Sequence, residues 1–273
     1  MPRYRSLSLV PICAFWFAAS AVCTSCAKKT LDLLAPTAGS CAMTLTVAQF
    51  ATSAIPTVAA CLLLNRRPPQ ALRETMIVAL SYTLGFLLLN CSLGKLAASF
   101  SETVRGMEPL TSFILVRLFA AHGGTLTKGM AGGLALVLGG AVINIWAQPA
   151  FELSGLLLGL LANCAFSSRG LLVTQLQDAA HRNTRTIVEA TDKRCGGGLG
   201  YASGTVDPLG LFAAQHVLGL LLLTPVALFM EGDSCAVALL HRSHARRIAV
   251  CSALGFFAYN FSSLVVLLLV DAV

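Results

Sequence analysis

The chain has 273 residues, of which 56% are hydrophobic and only 11% charged, and its net charge is +7. With a mean hydropathy of +0.77 and too few charges to cover a water-exposed shell, a soluble enzyme is excluded, and a polytopic all-α integral membrane protein is the class that fits. The positive charge does not point to nucleic acid, because Lys and Arg sit between apolar runs rather than on one soluble face.

A bilayer core of about 30 Å takes about 20 apolar residues per helix. On that measure the sequence predicts eight spans: Ser6–Ala27, Ala42–Leu64, Met76–Leu93, Ala97–Ala121, Gly129–Trp146, Leu153–Leu176, Leu209–Met230 and Ile248–Val270. They are separated by Lys28-Lys29, Arg66-Arg67-Pro68-Pro69, Lys95, His122 with two glycines, Gln148-Pro149 and the His241–Arg247 cluster. Most linkers are short, which predicts antiparallel neighbours in one bundle. The first span has a second reading. Arg3, Arg5 and Ala19-Ser20-Ala21 also fit a secretory signal with a cleavage site, whereas the apolar run on to Ala27 favours a retained helix.

The stretch from Asp178 to Asp207 is the one long polar connector, with Arg182, Arg185, Lys193 and Arg194 ahead of Gly196-Gly197-Gly198-Leu199-Gly200. Its glycines neither follow a strand nor end in Gly-Lys-Ser/Thr, so a flexible solvent loop is expected there rather than a phosphate-binding loop. Counted outside the spans, the amino-terminal side holds about ten Lys and Arg and the other side about six, which places the amino terminus in the cytosol under the positive-inside rule. Of the ten cysteines, Cys13, Cys61, Cys91, Cys164 and Cys251 fall inside apolar runs and read as small hydrophobes. Cys23 and Cys26 form a C-x-x-C without a second pair, so they do not make a metal site.

The fourth span carries the most information. Glu102, Arg105 and Glu108 lie three residues apart and therefore share one side of a helix. An ionisable group at mid-membrane costs at least ~2.5 kcal/mol, so three in two turns must pair or face a wet cavity. Pro109 cannot donate to the carbonyl of Arg105 and breaks the backbone ladder, which membrane helices tolerate where they line a cavity. On the other reading the span starts later and the charges snorkel to the interface, leaving only Leu110–Ala121 to cross. A fixed Arg in a central cavity is what an anionic substrate requires. Asn163, Ser167, Ser168, Arg169, Tyr259 and Asn260 are further polar groups inside spans, of a kind that more often serves interhelical packing. Gly155 and Gly159 form a G-x-x-x-G packing pattern, and Arg117 reads as an interfacial anchor. His122, His181, His216, His241 and His244 make no acid–base or metal constellation, and no H-E-x-x-H or nucleophile elbow is present.

The run Ser99-Phe100-Ser101-Glu102-Thr103-Val104-Arg105-Gly106-Met107-Glu108-Pro109 resembles the fourth-helix pattern of the triose-phosphate translocator family, within the drug/metabolite transporter superfamily. Its Met-Glu-Pro ending leans towards the plastid phosphate translocators. Trp16 ahead of Lys28-Lys29, Asn90 with Ser92, Asn163 through Ser168-Arg169, Pro225 with Glu231-Gly232, and Tyr259-Asn260 resemble the family's first, third, sixth, seventh and eighth helices, in the same order. The resemblance implies a bundle of ten helices in two inverted halves of five, with the substrate held between the halves. On that plan residues 1–148 form the first half, 149–273 form an incomplete second half with a polar loop at 178–207, and about eight helices of an expected ten are present. The ninth helix, which in phosphate translocators carries a Lys-Arg pair, falls beyond Val273, so the chain is expected to be truncated at that end. Arg105 stands where the family has Lys, Glu102 where plastid members have His, and Phe86 and Leu89 where they place polar phosphate contacts; these departures put phosphorylated three-carbon substrates in question.

The resemblance thus implies a secondary transporter, not an enzyme, that exchanges phosphorylated sugars or related organic anions for phosphate across an organelle membrane of plastid or Golgi/ER type. Arg105 binds the anion, Glu102 and Glu108 orient it, and Tyr259 and Asn260 complete the substrate site. No cofactor or metal is called for, and the partners are a small anionic metabolite (sugar phosphate, phosphate or nucleotide sugar) and the lipid bilayer. A nucleotide-sugar or other drug/metabolite transporter of the secretory pathway, and a non-transporting degenerate fragment, are the alternatives.

Overall fold

The computed structural model describes residues 3–38, 40–66, 69, 71–119, 127–146, 152–192 and 206–271. The His122 turn, Gln148-Pro149 and the Gly196–Gly200 run lie outside the described residues. The described residues form α1 Arg3–Ala38, α2 Ala42–Leu63, α3 Leu72–Lys95, α4 Ala98–Arg105, α5 Glu108–Phe119, α6 Lys128–Trp146, α7 Leu153–Asp192, α8 Pro208–Met230, α9 Gly232–His241 and α10 Ser243–Asp271. Six of these (α1, α2, α3, α7, α8 and α10) are long and apolar enough to cross a membrane. α6 is apolar but shorter, and the expected fourth span is divided between α4 and α5.

Several boundaries differ from the sequence expectation: α3 starts earlier, at Leu72, α9 is an added short helix and α10 starts at Ser243, and three further differences have a local reason. α1 runs past Lys28-Lys29 to Ala38, because Lys28 pairs with Asp32 at 3.0 Å one turn on while Leu31 and Leu34 stay buried against the bundle. α7 continues to Asp192, through the first half of the connector expected as a loop. Leu176–Asp192 contains neither Gly nor Pro, so the change from apolar to polar residues ends the span without ending the helix. The fourth span breaks at Gly106-Met107, just ahead of Pro109. Glycine is a poor helix former, and proline is accommodated in the first turn of α5, where its missing N–H is not needed.

Successive long helices alternate in direction, so their ends gather at two faces. At one, Arg66 lies 3.9 Å from Asp207. At the other, Lys95 pairs with Glu152 at 2.6 Å. There too a disulfide joins Cys41, at the start of α2, to Cys235 in α9. The amino end of α2 has no capping side chain of its own. The Glu231 carboxylate supplies the cap, accepting from the Met43 and Thr44 amides at 2.8 Å each and from the Thr44 hydroxyl at 2.7 Å. Asp207 does the same for α8, accepting from the Gly210 amide at 3.1 Å.

α1 packs along α10, α3 along α7 and α2 along α8. In lipid, association depends on close van der Waals fit rather than on water exclusion, and small residues supply that fit. A Cβ on Gly219 would lie 2.5 Å from the Phe50 ring, one on Gly85 2.6 Å from Phe166, and one on Gly159 2.9 Å from Val104. The G-x-x-x-G pair thus seats α7 on α3 and α4, and the Ser92 hydroxyl donates to the Gly155 carbonyl at 2.7 Å. At the centre Phe50, Tyr82, Phe86, Phe166, Phe256 and Tyr259 form one aromatic cluster, with edge-to-face contacts of 4.7 Å between Phe86 and Phe256 and 4.8 Å between Phe86 and Phe166. A polar chain crosses beside it. Asn90 donates to Thr46 and Gln49, Gln49 to Ser252 at 3.1 Å, and Ser252 to the Cys23 carbonyl at 3.2 Å, tying α3, α2, α10 and α1.

Candidate functional site

The break between α4 and α5 is what positions the charged groups. The Val104 carbonyl, freed at the end of α4, accepts from the Met107 amide at 3.0 Å and from Asn163 Nδ2 of α7 at 2.6 Å. A second anchor follows at the start of α5, where Thr111 and Ser112 lie 2.9 and 2.8 Å from the Ser167 hydroxyl of α7. Held at both ends, the segment turns Arg105 and Glu108 into a cavity of about 560 Å³. Trp16, Ser20, Phe86, Glu102, Ser112, Phe166, Arg169, Tyr259, Asn260 and Ser263 also line it.

All five residues singled out in the sequence, Arg105, Glu102, Glu108, Tyr259 and Asn260, therefore line one cavity. Arg105 stacks on the Tyr259 ring with its guanidinium carbon 4.8 Å from the ring centre. Its Nη1 donates to the Ser20 hydroxyl at 3.2 Å and lies 4.0 Å from Glu102 Oε1. Glu102 in turn accepts from the Thr24 hydroxyl of α1. The Tyr259 hydroxyl is buried and makes no hydrogen bond of good geometry among the described residues. Asn260 accepts from the Tyr82 hydroxyl at 3.1 Å and donates to the Phe256 carbonyl at 2.9 Å, which fixes which way its amide faces.

Arg169 is the group that reasoning from sequence undervalued. It lines the same cavity and also a neighbouring one of about 330 Å³, the two sharing Asn260 and Ser263. Its guanidinium carbon sits 4.6 Å over the Tyr82 ring, its Nη2 donates to Gln215 Oε1 at 3.0 Å, and its Nε is buried with no hydrogen-bond partner among the described residues. The signal was available: a charge inside an apolar run is as expensive at position 169 as at position 105. His216 Nε2 lies 3.1 Å from the hydroxyl of Tyr82, the residue whose ring lies under Arg169. Phe86 lines the cavity, and Leu89 packs against the aromatic cluster.

Chemically the site offers two guanidinium groups, each placed over a tyrosine ring, with N–H forks that match the oxygens of phosphate or carboxylate. Stacking on an aromatic face stabilises each cation by roughly 0.5–2 kcal/mol and limits its rotamers, so little side-chain freedom remains to be lost when an anion binds.

Comparison with known proteins agrees with this architecture. The model of the Triose-phosphate Transporter family matches residues 7–273. The chain is 27% identical over 240 residues to the chloroplastic phosphoenolpyruvate/phosphate translocator 1 of Arabidopsis thaliana, covering 85% of this chain and 53% of that protein. It is 27% identical over 194 residues to the chloroplastic triose phosphate/phosphate translocator of non-green plastids from Brassica oleracea var. botrytis, covering 70% and 42% respectively. A phosphoenolpyruvate/phosphate translocator 1 of Oryza sativa subsp. japonica is 35% identical over 75 residues. The chain spans about half the length of the curated relatives it matches. A helical membrane bundle, the motifs collinear along it and a match over almost all of its residues place this chain in the Triose-phosphate Transporter family.

Proposed function

We propose that the chain is an antiporter that exchanges inorganic phosphate for a small phosphorylated organic anion across an organelle membrane. The observation that carries this is the pair of tyrosine-stacked arginines, Arg105 and Arg169, on one central cavity. A ligand with two anionic groups, such as a carboxylate and a phosphate, suits two such cations better than a ligand with one. The names of the relatives, phosphoenolpyruvate/phosphate and triose phosphate/phosphate translocators of plastids, support the same substrate class and a plastid-type membrane. Binding and release need no covalent chemistry: substrate is held near the bilayer midplane while two bundles rock around it. The packing of α1 along α10 and of α3 along α7 is the relation expected of inverted halves at 1–148 and 149–273, and it supports that division. Trp16 and Ser20 line the cavity, which supports retention of the first helix. The excess of Lys and Arg on the amino-terminal side supports a cytosolic amino terminus.

The test is counter-exchange of labelled phosphate in proteoliposomes loaded with phosphate, phosphoenolpyruvate or triose phosphate. Arg105→Ala is expected to reduce exchange by about a hundredfold, the loss of one charge-assisted, partly buried anion contact. Equal exchange by both proteins would remove Arg105 as the anion ligand.

A further inference from the structure

α1 and α10 pack along one another, and their outer seam leaves a groove of about 510 Å³. Phe15, Ala18 and Val22 form one wall, and Val250, Leu254 and Ala258 form the other. These walls turn away from the central cavity, to which α1 gives Trp16 and Ser20 and α10 gives Tyr259 and Asn260. Phe15, Val22, Val250 and Leu254 are exposed. The floor is backbone. A Cβ on Gly255 would lie 3.1 Å from the Cys23 nitrogen, so the two helices meet there with no side chain between them.

Among the described residues, Arg247 is the one charged group that lines the groove. The register of the two helices brings a second cation to the same end. Arg242 donates to the Leu33 carbonyl at 2.9 Å, so the start of α10 lies beside the end of α1 and the pair runs antiparallel. Arg247 precedes Gly255 by about two turns, and Lys29 follows Cys23 by somewhat less than two, which brings both to one level. The other cations of this face are committed. Lys28 pairs with Asp32, and Arg242 and Arg246 donate to backbone carbonyls. Lys29 and Arg247 have no ion pair or hydrogen bond among the described residues.

Length and width select the occupant. From Arg247 to Ala258, α10 rises about 16 Å, the depth of one leaflet of a hydrocarbon core about 30 Å thick. Spread over that length, the groove has a cross-section of roughly 30 Å², whereas a helix about 10 Å across takes about 80 Å². The space therefore fits a hydrocarbon chain and not a helix. A chain alone would leave two cations at the membrane boundary without a counter-charge. A phosphodiester headgroup supplies one, with two oxygens for the Arg247 fork and a third contact for the Lys29 ammonium.

We propose that the α1–α10 groove is a binding site for one anionic phospholipid, with an acyl chain along Val22 and Leu254 and the headgroup phosphate on Arg247 and Lys29. The site lies on the outer side of the two helices that wall the central cavity, and it is independent of what that cavity carries.

The experiment is native mass spectrometry of the full chain, titrated with phosphatidylglycerol or with phosphatidylcholine of identical chains. Each cation beside an anionic headgroup is worth about fivefold, so phosphatidylglycerol is expected to bind about tenfold or more tightly than phosphatidylcholine. Lys29→Gln combined with Arg247→Gln is expected to bring the two lipids within about threefold of each other. Arg246→Gln removes a neighbouring cation that does not line the groove, and is expected to keep the preference within about twofold of wild type. Ala18→Phe keeps both cations but fills the groove from an exposed position, and is expected to lower phosphatidylglycerol binding by about tenfold with the melting temperature in detergent unchanged. Equal binding of the two lipids, a preference that survives the double variant, or an Arg246→Gln effect equal to that of the double variant would overturn the inference. So would displacement of the lipid by millimolar inorganic phosphate, which would make the two cations a site for the free ion. A dimer that carries no lipid and is dissociated by Ala18→Phe would make the groove an interface between copies of the chain, and would overturn it as well.

Discussion

At the scale of single residues, the two arginines differ in what holds them, and this separates their expected phenotypes. Arg105 has Ser20, Glu102 and Tyr259 around it, so a lysine in its place keeps a cation near the same acids but loses the guanidinium fork over the ring. Arg105→Lys is expected to keep exchange within about tenfold of wild type, with the loss mainly in KM. Arg169 bonds Gln215 and stacks on Tyr82 with its Nε unpartnered, so its fork geometry matters more. Arg169→Lys is expected to resemble Arg169→Ala, and KM and kcat for each exchanged anion would distinguish the two cases. Packing residues obey a different rule. A methyl group on Gly219 would meet Phe50 at 2.5 Å and Thr83 Oγ1 at 2.6 Å. Gly219→Ala is therefore expected to lower stability by about 1–3 kcal/mol, read as a lower melting temperature in detergent.

At the scale of helices, the divided α4–α5 segment and the shared caps carry the architecture. Asn163 closes the Val104 carbonyl that the break releases, and Asn163→Leu is expected to cost about 1–3 kcal/mol and to raise hydrogen exchange at Gly106-Met107. Glu231 caps α2 from the far side of the chain, so Glu231→Ala should loosen α2 at its amino end, visible as faster exchange of the Met43 and Thr44 amides. On the same face the half-exposed Glu152 is held below the usual glutamate range by its hydrogen bond from Lys95 and then by Ser154. A depressed folded-state value means the link is present above the ordinary glutamate range and is lost as pH falls below it. Labelling of Lys95 with an amine reagent should therefore rise on acidification once normalised to an exposed lysine, and the rise should be absent in Glu152→Gln.

At this scale the sequence was informative wherever local physics dominates. Apolar length marked each of the six long apolar helices among the described residues, and Pro109 marked the disturbed backbone of the span that is divided. It was uninformative where polar composition and helix propensity part company: α7 continues into a polar segment because Leu176–Asp192 contains no helix breaker. α9 is a short helix that lies beside the disulfide, and its ten residues were too few to register as a span.

At the scale of the whole molecule, the Cys41–Cys235 disulfide closes a loop of 194 residues and joins the α1–α2 turn to α9. Mass-tag alkylation of the denatured chain is expected to label two additional cysteines after reduction. Cys235→Ser is expected to lower stability by about 2–5 kcal/mol, as for other native disulfides that close long loops. The spacing of cysteines held no hint of this pair, because the partners are brought together only when α2 and α8 pack side by side.

What the sequence by itself determined was the class, the order of the apolar segments, the family resemblance and the cost of placing Glu102, Arg105 and Glu108 in a membrane. These follow from hydropathy, breakers and charge, which act within a few turns of one helix. The tertiary structure alone decided which charges share a cavity. Arg169 and Tyr82 sit 87 positions apart and Arg105 and Tyr259 154 apart, yet each arginine rests on its tyrosine because neighbouring helices bring them together. It also decided that two acids and two cations line that one space. Charge balance in a cavity is a sum over several helices, and no stretch of sequence contains it.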